Sequence, residues 1–239
     1  MKNTRFIFPK TLFLFLPVLM IFSCIKNDNF IKGDAKIRYF HTAVTDTTQN
    51  FFLRGIQSGA STTYGSNSNY VVVAGDSSYT ITSRNINTGV DVASITQKFD
   101  IGANYSIFYT HTTPASPAVL KVYQDDVKQD LNVVTLNFLN LGYTLGSNVI
   151  IKDDNGAFTQ FVAKYGEKTT HKVTLSKATH ISFALQTPIA TQPLVKTLDS
   201  AVATDASDKS LAISKGLVYY VLLDGSKKGE LQMRLVSSN

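Results

Sequence analysis

The feature that most constrains this chain is that it repeats itself. Ile37-Arg38-Tyr39-Phe40-His41 returns as Leu136-Asn137-Phe138-Leu139-Asn140, and Asn50-Phe51-Phe52-Leu53-Arg54 as Asn148-Val149-Ile150-Ile151-Lys152. Tyr64-Gly65 returns as Tyr165-Gly166, and Gly102-Ala103-Asn104-Tyr105 as Gly216-Leu217-Val218-Tyr219. The order is kept, with a separation of about 100 residues that widens only at the last block, and such self-similarity marks one structural unit used twice. Two domains are therefore expected, over 36–126 and 133–239, with a border from Gln124 to Asn132 that holds Asp125-Asp126 and little that is apolar. The widening places an insertion in the polar stretch Thr187 to Lys209, where Thr204 to Lys209 reads as a short helix or a loop.

Within each copy the period is that of strands. Tyr70-Val71-Val72-Val73, Tyr79-Thr80-Ile81-Thr82, Tyr105-Ser106-Ile107-Phe108-Tyr109 and Tyr219-Tyr220-Val221-Leu222-Leu223 are β-branched and aromatic runs bounded by Gly, Asn, Asp and Ser. Asp154-Asn155-Gly156, between Val149-Ile150-Ile151 and Phe158-Thr159-Gln160-Phe161, predicts a tight hairpin, since Asn and Gly tolerate positive φ. The predicted fold is all-β: two tandem immunoglobulin-like β-sandwiches, the likeness being architectural, because the chain has no Trp and its one cysteine excludes the paired cysteines of antibody domains.

That cysteine, Cys24, ends a hydrophobic export signal. Lys2, Arg5 and Lys10 precede the apolar run Thr11 to Phe22, which is too short for a membrane span of roughly 20 residues and right for a signal h-region. Ile21-Phe22-Ser23-Cys24 resembles a bacterial lipobox, which implies cleavage after residue 23, lipidation of Cys24 and a membrane anchor through a tether over 24–35. Ile25-Lys26-Asn27-Asp28-Asn29 resembles the charged tags of some surface-exposed Bacteroidetes lipoproteins, and no aspartate directly follows Cys24, which by resemblance favours the outer membrane. Removing residues 1–23 takes three basic and no acidic residues, leaving 20 Lys and Arg against 17 Asp and Glu, so the formal charge falls from +6 to +3. The remaining cations are scattered apart from Lys227-Lys228, so no nucleic-acid footprint is present.

Little in the sequence points to reaction chemistry. No Gly-x-Ser-x-Gly elbow exists. Asp125-Asp126 and Asp153-Asp154 are adjacent pairs whose side chains diverge in extended chain, reading as linker and turn, and no EF-hand glutamate follows Asp153-Asp154-Asn155-Gly156. His41, His111, His171 and His180 lack metal-ligand spacing, although His41 and His111 both end strands. Most of the eleven tyrosines fall in the strand pattern and read as packing rather than as a sugar platform. No cofactor, metal or catalytic residue is expected.

The opening Ala35-Lys36-Ile37-Arg38-Tyr39-Phe40-His41, the junction Leu120-Lys121-Val122-Tyr123-Gln124-Asp125-Asp126 leading to Thr135-Leu136-Asn137-Phe138-Leu139-Asn140-Leu141, and the closing Lys215-Gly216-Leu217-Val218-Tyr219-Tyr220-Val221-Leu222-Leu223-Asp224-Gly225 resemble the exported bacterial family known as domain of unknown function 4397. His41-Thr42-Ala43-Val44 departs from the Pro-Asp turn of many relatives. The resemblance implies an exported β domain and supplies no catalytic residues. The expected function is a non-catalytic, surface-exposed binding or adhesion module for a glycan or a protein, the alternative being a periplasm-facing accessory of an outer-membrane complex. The oligomeric state, the interdomain geometry and the role of residues 187–209 are open at this level.

Overall fold

A computed structural model describes residues 33–154, 156–175, 180–187, 195–199 and 211–238. Cys24, the export signal and the Thr204 to Lys209 segment lie outside them. The described residues fall within one compact unit, Lys32–Asn239, and contain strands and no helix.

The first copy supplies β1 (Asp34–His41), β2 (Gln49–Leu53), β3 (Ile56–Gln57), β4 (Val71–Ala74), β5 (Ser77–Asn85), β6 (Asp91–Phe99), β7 (Asn104–His111) and β8 (Ala118–Asp125). They form two sheets, β4-β1-β7-β8 and β3-β2-β5-β6. The second copy supplies β9 (Val134–Asn140), β10 (Val149–Asp153), β11 (Phe161–Ala163), β12 (Lys168–Val173), β13 (His180–Leu185), β14 (Val195–Asp199), β15 (Leu211–Ala212), β16 (Val218–Gly225) and β17 (Leu231–Ser237). These form β12-β9-β16-β17 and β11-β10-β13-β14-β15. The chain is thus two β-sandwiches of one topology, each with a parallel pair, β1 with β7 and β9 with β16, inside otherwise mainly antiparallel sheets.

The repeat holds at the level of single hydrogen bonds. Gly65 N–H donates to His41 O at 3.1 Å and Gly166 N–H to Asn140 O at 2.8 Å; Gly102 N–H donates to Asp34 O at 2.7 Å and Gly216 N–H to Val133 O at 2.8 Å. All four glycines have φ between 74° and 85°, the left-handed region where a side chain is strained. The Tyr-Gly and Gly-x-x-Tyr blocks therefore recur because each needs a glycine to turn the chain into the same bond.

Two expectations are corrected in register. The hydrogen-bonded partners of β2 and β10, Phe51↔Ser83 and Ile151↔Phe183, make Phe51 equivalent to Ile151, two residues from the pairing with Val149 that the sequence blocks favoured. A slip of two keeps the same face inward, so the pattern does not detect it. The stretch Thr187 to Lys209 is not insertion throughout, because β14 pairs with β13 as β6 pairs with β5. Two boundaries also move. β1 begins at Asp34, inside the expected tether, and β10 and β11 pair antiparallel across residues 154–160 rather than through a two-residue turn.

Each sandwich has its own core. In the first, Ile37, Tyr39, Ile107 and Tyr109 of one sheet meet Phe51, Ile81 and Phe99 of the other. In the second, Leu136, Phe138, Val221 and Leu223 meet Val149, Ile151, Ile181 and Phe183. The decisive feature is a third cluster, Phe40, Phe108, Leu139, Leu141, Tyr220 and Leu222, all fully buried and drawn from β1, β7, β16 and the β9 segment with Leu141 just beyond it. These side chains project from the opposite faces of β1, β7, β9 and β16. The sheets containing β1 and β9 are thus buried on both sides and pack against each other. Strands covered on both faces read as continuous apolar runs, as Tyr219 to Leu223 does.

Candidate functional site

The junction between the sandwiches concentrates the polar chemistry of the molecule. Arg38, 4% exposed, points from β1 into the junction. It donates from Nε to Ser106 Oγ at 2.9 Å, from Nη1 to Ser237 O at 3.0 Å and from Nη2 to Ser238 Oγ at 3.1 Å. Asp125 lies 3.7 Å from its Nε and accepts hydrogen bonds from Tyr70 Oη at 2.7 Å, Ser106 Oγ at 2.9 Å and Tyr220 Oη at 2.7 Å. Burial is the first cause that pushes the Tyr70 and Tyr220 hydroxyls above their usual range, and the Asp125 charge adds to it, so both stay protonated donors. Asp125 was expected in a linker. It is instead a buried, fully hydrogen-bonded tie between the repeats, while its neighbour Asp126 is exposed.

At the far end of the same junction, β7 finishes at His111. Its Nε2 lies 2.8 Å from Asp46 Oδ2 and its Nδ1 2.7 Å from Ser116 O. Both ring nitrogens face acceptors. A ring so engaged has no nitrogen left to activate a nucleophile. Asp46 also accepts from Tyr109 Oη at 2.5 Å and from Thr45 Oγ1 at 3.0 Å. Burial raises the Asp46 carboxyl, but the hydrogen bonds from Tyr109 and His111 outweigh it and hold the group below the usual carboxylate range. Tyr143, from the second copy, reaches across to Thr45 Oγ1 at 2.9 Å and rests its ring 5.1 Å from that of His111. Tyr165 donates its hydroxyl to the His111 carbonyl.

His41 lies close by, its ring centroid 5.0 Å from that of Tyr109, which in turn is 6.3 Å from His111. The two strand-ending histidines thus flank one tyrosine rather than share a ligand. His41 Nε2 donates to Thr47 O at 2.9 Å, leaving Nδ1 buried with no hydrogen-bond partner among the described residues. Burial lowers the ring's pKa below 6.5, against the opposing pull of the Thr47 carbonyl and Asp46. A depressed folded-state value means that the unfolded chain takes up the proton first, so stability is lost as pH falls below about 6.5. His171, stacked 4.6 Å from Phe161, is lowered by burial in the same sense. Thermal unfolding is therefore expected to shift to lower temperature between about pH 7 and about pH 5, and His41→Gln with His171→Phe should remove much of that drop. A drop equal to the wild type's would contradict the assignment.

The remaining candidates are accounted for locally. Asp153 is buried and accepts from the Ala157 amide, while Asp154 is exposed and pairs with Lys152 at 2.8 Å, so the two carboxylates diverge as adjacent strand residues do. Asn155 lies outside the described residues. His180 lies 3.7 Å from Asp154 Oδ2. Among the described residues, no group of three or more His, Cys, Asp or Glu side chains converges in a way that could hold a metal ion.

Beside the His111 end opens a groove of about 420 Å³, lined by Thr112, Thr113 and Pro114 of the first copy and by Gly142, Tyr143, Gly146, Ser147, Asn148, Tyr165, Gln186 and Thr187 of the second. Its walls are anchored. Asn140, fully buried, donates from Nδ2 to Ala163 O at 3.0 Å and accepts from the Gly142 amide at 3.0 Å, fixing the turn that carries Tyr143. A Cβ at Gly142 would lie 2.4 Å from Leu145 Cδ1, so any side chain there would force Leu145 to move. Sequence reasoning missed these residues. Their one signal was that Tyr143 and Tyr165 stand beside glycines outside the strand runs.

No family model matches the chain, and no curated protein matches it. Among solved structures it is similar to the family 26 carbohydrate-binding module CBMbc from Eubacterium rectale Amy13K, crystallised in complex with maltoheptaose, over 86% of this chain and 97% of that one, at 10% identity and a TM-score of 0.25. A score that low carries no argument about a shared strand arrangement, site or ligand.

Proposed function

We propose that this protein is a lipid-anchored, non-catalytic binding module of the bacterial envelope, held at the outer membrane through Cys24, exposed at the cell surface, and related to the exported family that its strand blocks resemble. The observation that carries the reading is the groove itself. Two sandwiches locked face to face bring loops from both copies into one anchored concavity, and a rigid scaffold presenting loops is the usual architecture of a recognition surface. The polar groups around it are engaged with one another rather than arranged as acid and base, which favours binding over catalysis. The ligand class is a glycan or a protein.

Protease digestion of intact cells tests the placement. The wild type is expected to be cut on intact cells, and Cys24→Ala to leave the cell-associated fraction. Protection of the wild type until lysis would instead put the module on the periplasmic side, as an accessory to an envelope complex.

A further inference from the structure

Taking the groove as the binding surface of such a module, we infer that it is a subsite for an uncharged saccharide. Among the described residues, the lining contains no Asp, Glu, Lys, Arg or His. A charged ligand would find no countercharge among these lining side chains, the Lys121 ammonium being set against the ring of Tyr165 rather than lining the groove. A fully apolar ligand fares no better. The lining is rich in hydroxyl and amide groups, and covering them with hydrocarbon would leave buried polar groups unpaired. An extended peptide needs a free sheet edge or apolar side-chain pockets, and this lining comes mostly from turns and bends, with Pro114, Tyr143 and Tyr165 as its large apolar residues.

A neutral sugar offers what this lining lacks and accepts what it offers. Its hydroxyls both donate and accept, matching Thr112, Thr113, Asn148 and Gln186, and its C–H faces suit an aromatic ring. Asn148 Nδ2 donates to Gln186 Oε1 at 3.0 Å, so the pair presents the remaining Asn148 acceptor and the Gln186 amide donors as a unit. Tyr165 is only partly buried and carries Lys121 Nζ 5.2 Å from its ring centroid, while its hydroxyl is tied to His111. Tyr143, 5% exposed, forms the floor. A site whose aromatic and amide groups are fixed before binding avoids part of the ordering cost that weakens small-ligand sites. The volume of about 420 Å³ is of small-ligand size, the usual range being roughly 300 to 1,000 Å³, and its open side admits the end or the bend of a longer chain.

The test is binding of the mature chain to neutral polysaccharides (starch, a mixed-linkage β-glucan, xylan and mannan) beside polygalacturonate and chondroitin sulfate as anionic probes, by affinity electrophoresis and titration calorimetry. At least one neutral polymer is expected to bind. Asn148→Ala with Gln186→Ala, both outside the core, should weaken that binding about tenfold, as expected for two lost neutral hydrogen bonds, with the melting temperature unchanged. Neutral binding undiminished in the double variant would put the sugar elsewhere and overturn the site. Binding of anionic polymers alone, or of none, would overturn the saccharide assignment. A photo-crosslinking residue at position 114, on the exposed rim of the groove, then separates the two readings on intact cells. An adduct of another class preserves the binding module and rejects the sugar, and no adduct rejects both.

Discussion

Asp125→Ala is expected to destabilise the protein by about 3 to 5 kcal/mol, the range for removing one partner of a buried ion pair, and to lower the melting temperature by roughly 10 °C for a unit of this size. The reason lies in what stays behind. Arg38 would remain 4% exposed with its charge unmatched, and the hydroxyls of Tyr70, Ser106 and Tyr220 would lose a common acceptor. Asp125→Asn should cost less, because the amide oxygen still accepts. Asp126→Ala, one residue on and exposed, should shift stability by no more than about 0.5 kcal/mol. Equal effects at the two positions would show that residue 125 is no tie at all.

Phe108→Ala should have an effect of similar size, about 3 to 5 kcal/mol, and a distinctive distribution. The ring is fully buried, 4.6 Å from Phe40, 5.6 Å from Tyr123 and 5.8 Å from Tyr220, so it belongs to the junction rather than to either sandwich core. Its loss weakens the contact that makes the repeats one folding unit. Amide exchange is therefore expected to accelerate in β5 of the first sandwich and in β13 of the second together. Acceleration confined to β5 would mean that the sandwiches open independently, and the shared cluster would then be packing without coupling.

The repeat and its strands were legible because they rest on local chemistry: glycines at positive φ and alternating β-branched runs. The double burial of the central sheets was half legible. The unbroken run Tyr219 to Leu223 is the mark of a strand covered on both faces, yet it says nothing about what covers the second face. Asp125 was misread because its neighbours Gln124 and Asp126 are polar and exposed, and a buried carboxylate among them has no signature until Tyr220, 95 residues away, is brought to it. The groove was illegible for the same reason. Thr112, Asn148 and Gln186 belong to separate turns, and no spacing in the chain joins them.

The two repeats match in backbone but not in what they present to each other. Where the first copy holds Arg38, Phe40, Ser106 and Phe108, the equivalent places in the second hold Asn137, Leu139, Tyr220 and Leu222. A pair of identical first copies would hold Ser106 where Tyr220 stands and so lack the hydroxyl that reaches Asp125. Unlike halves discriminate against self-pairing, so the surface that joins the sandwiches within one chain is a poor template for joining one chain to another, and divergence after duplication has made the junction a lock with a single key.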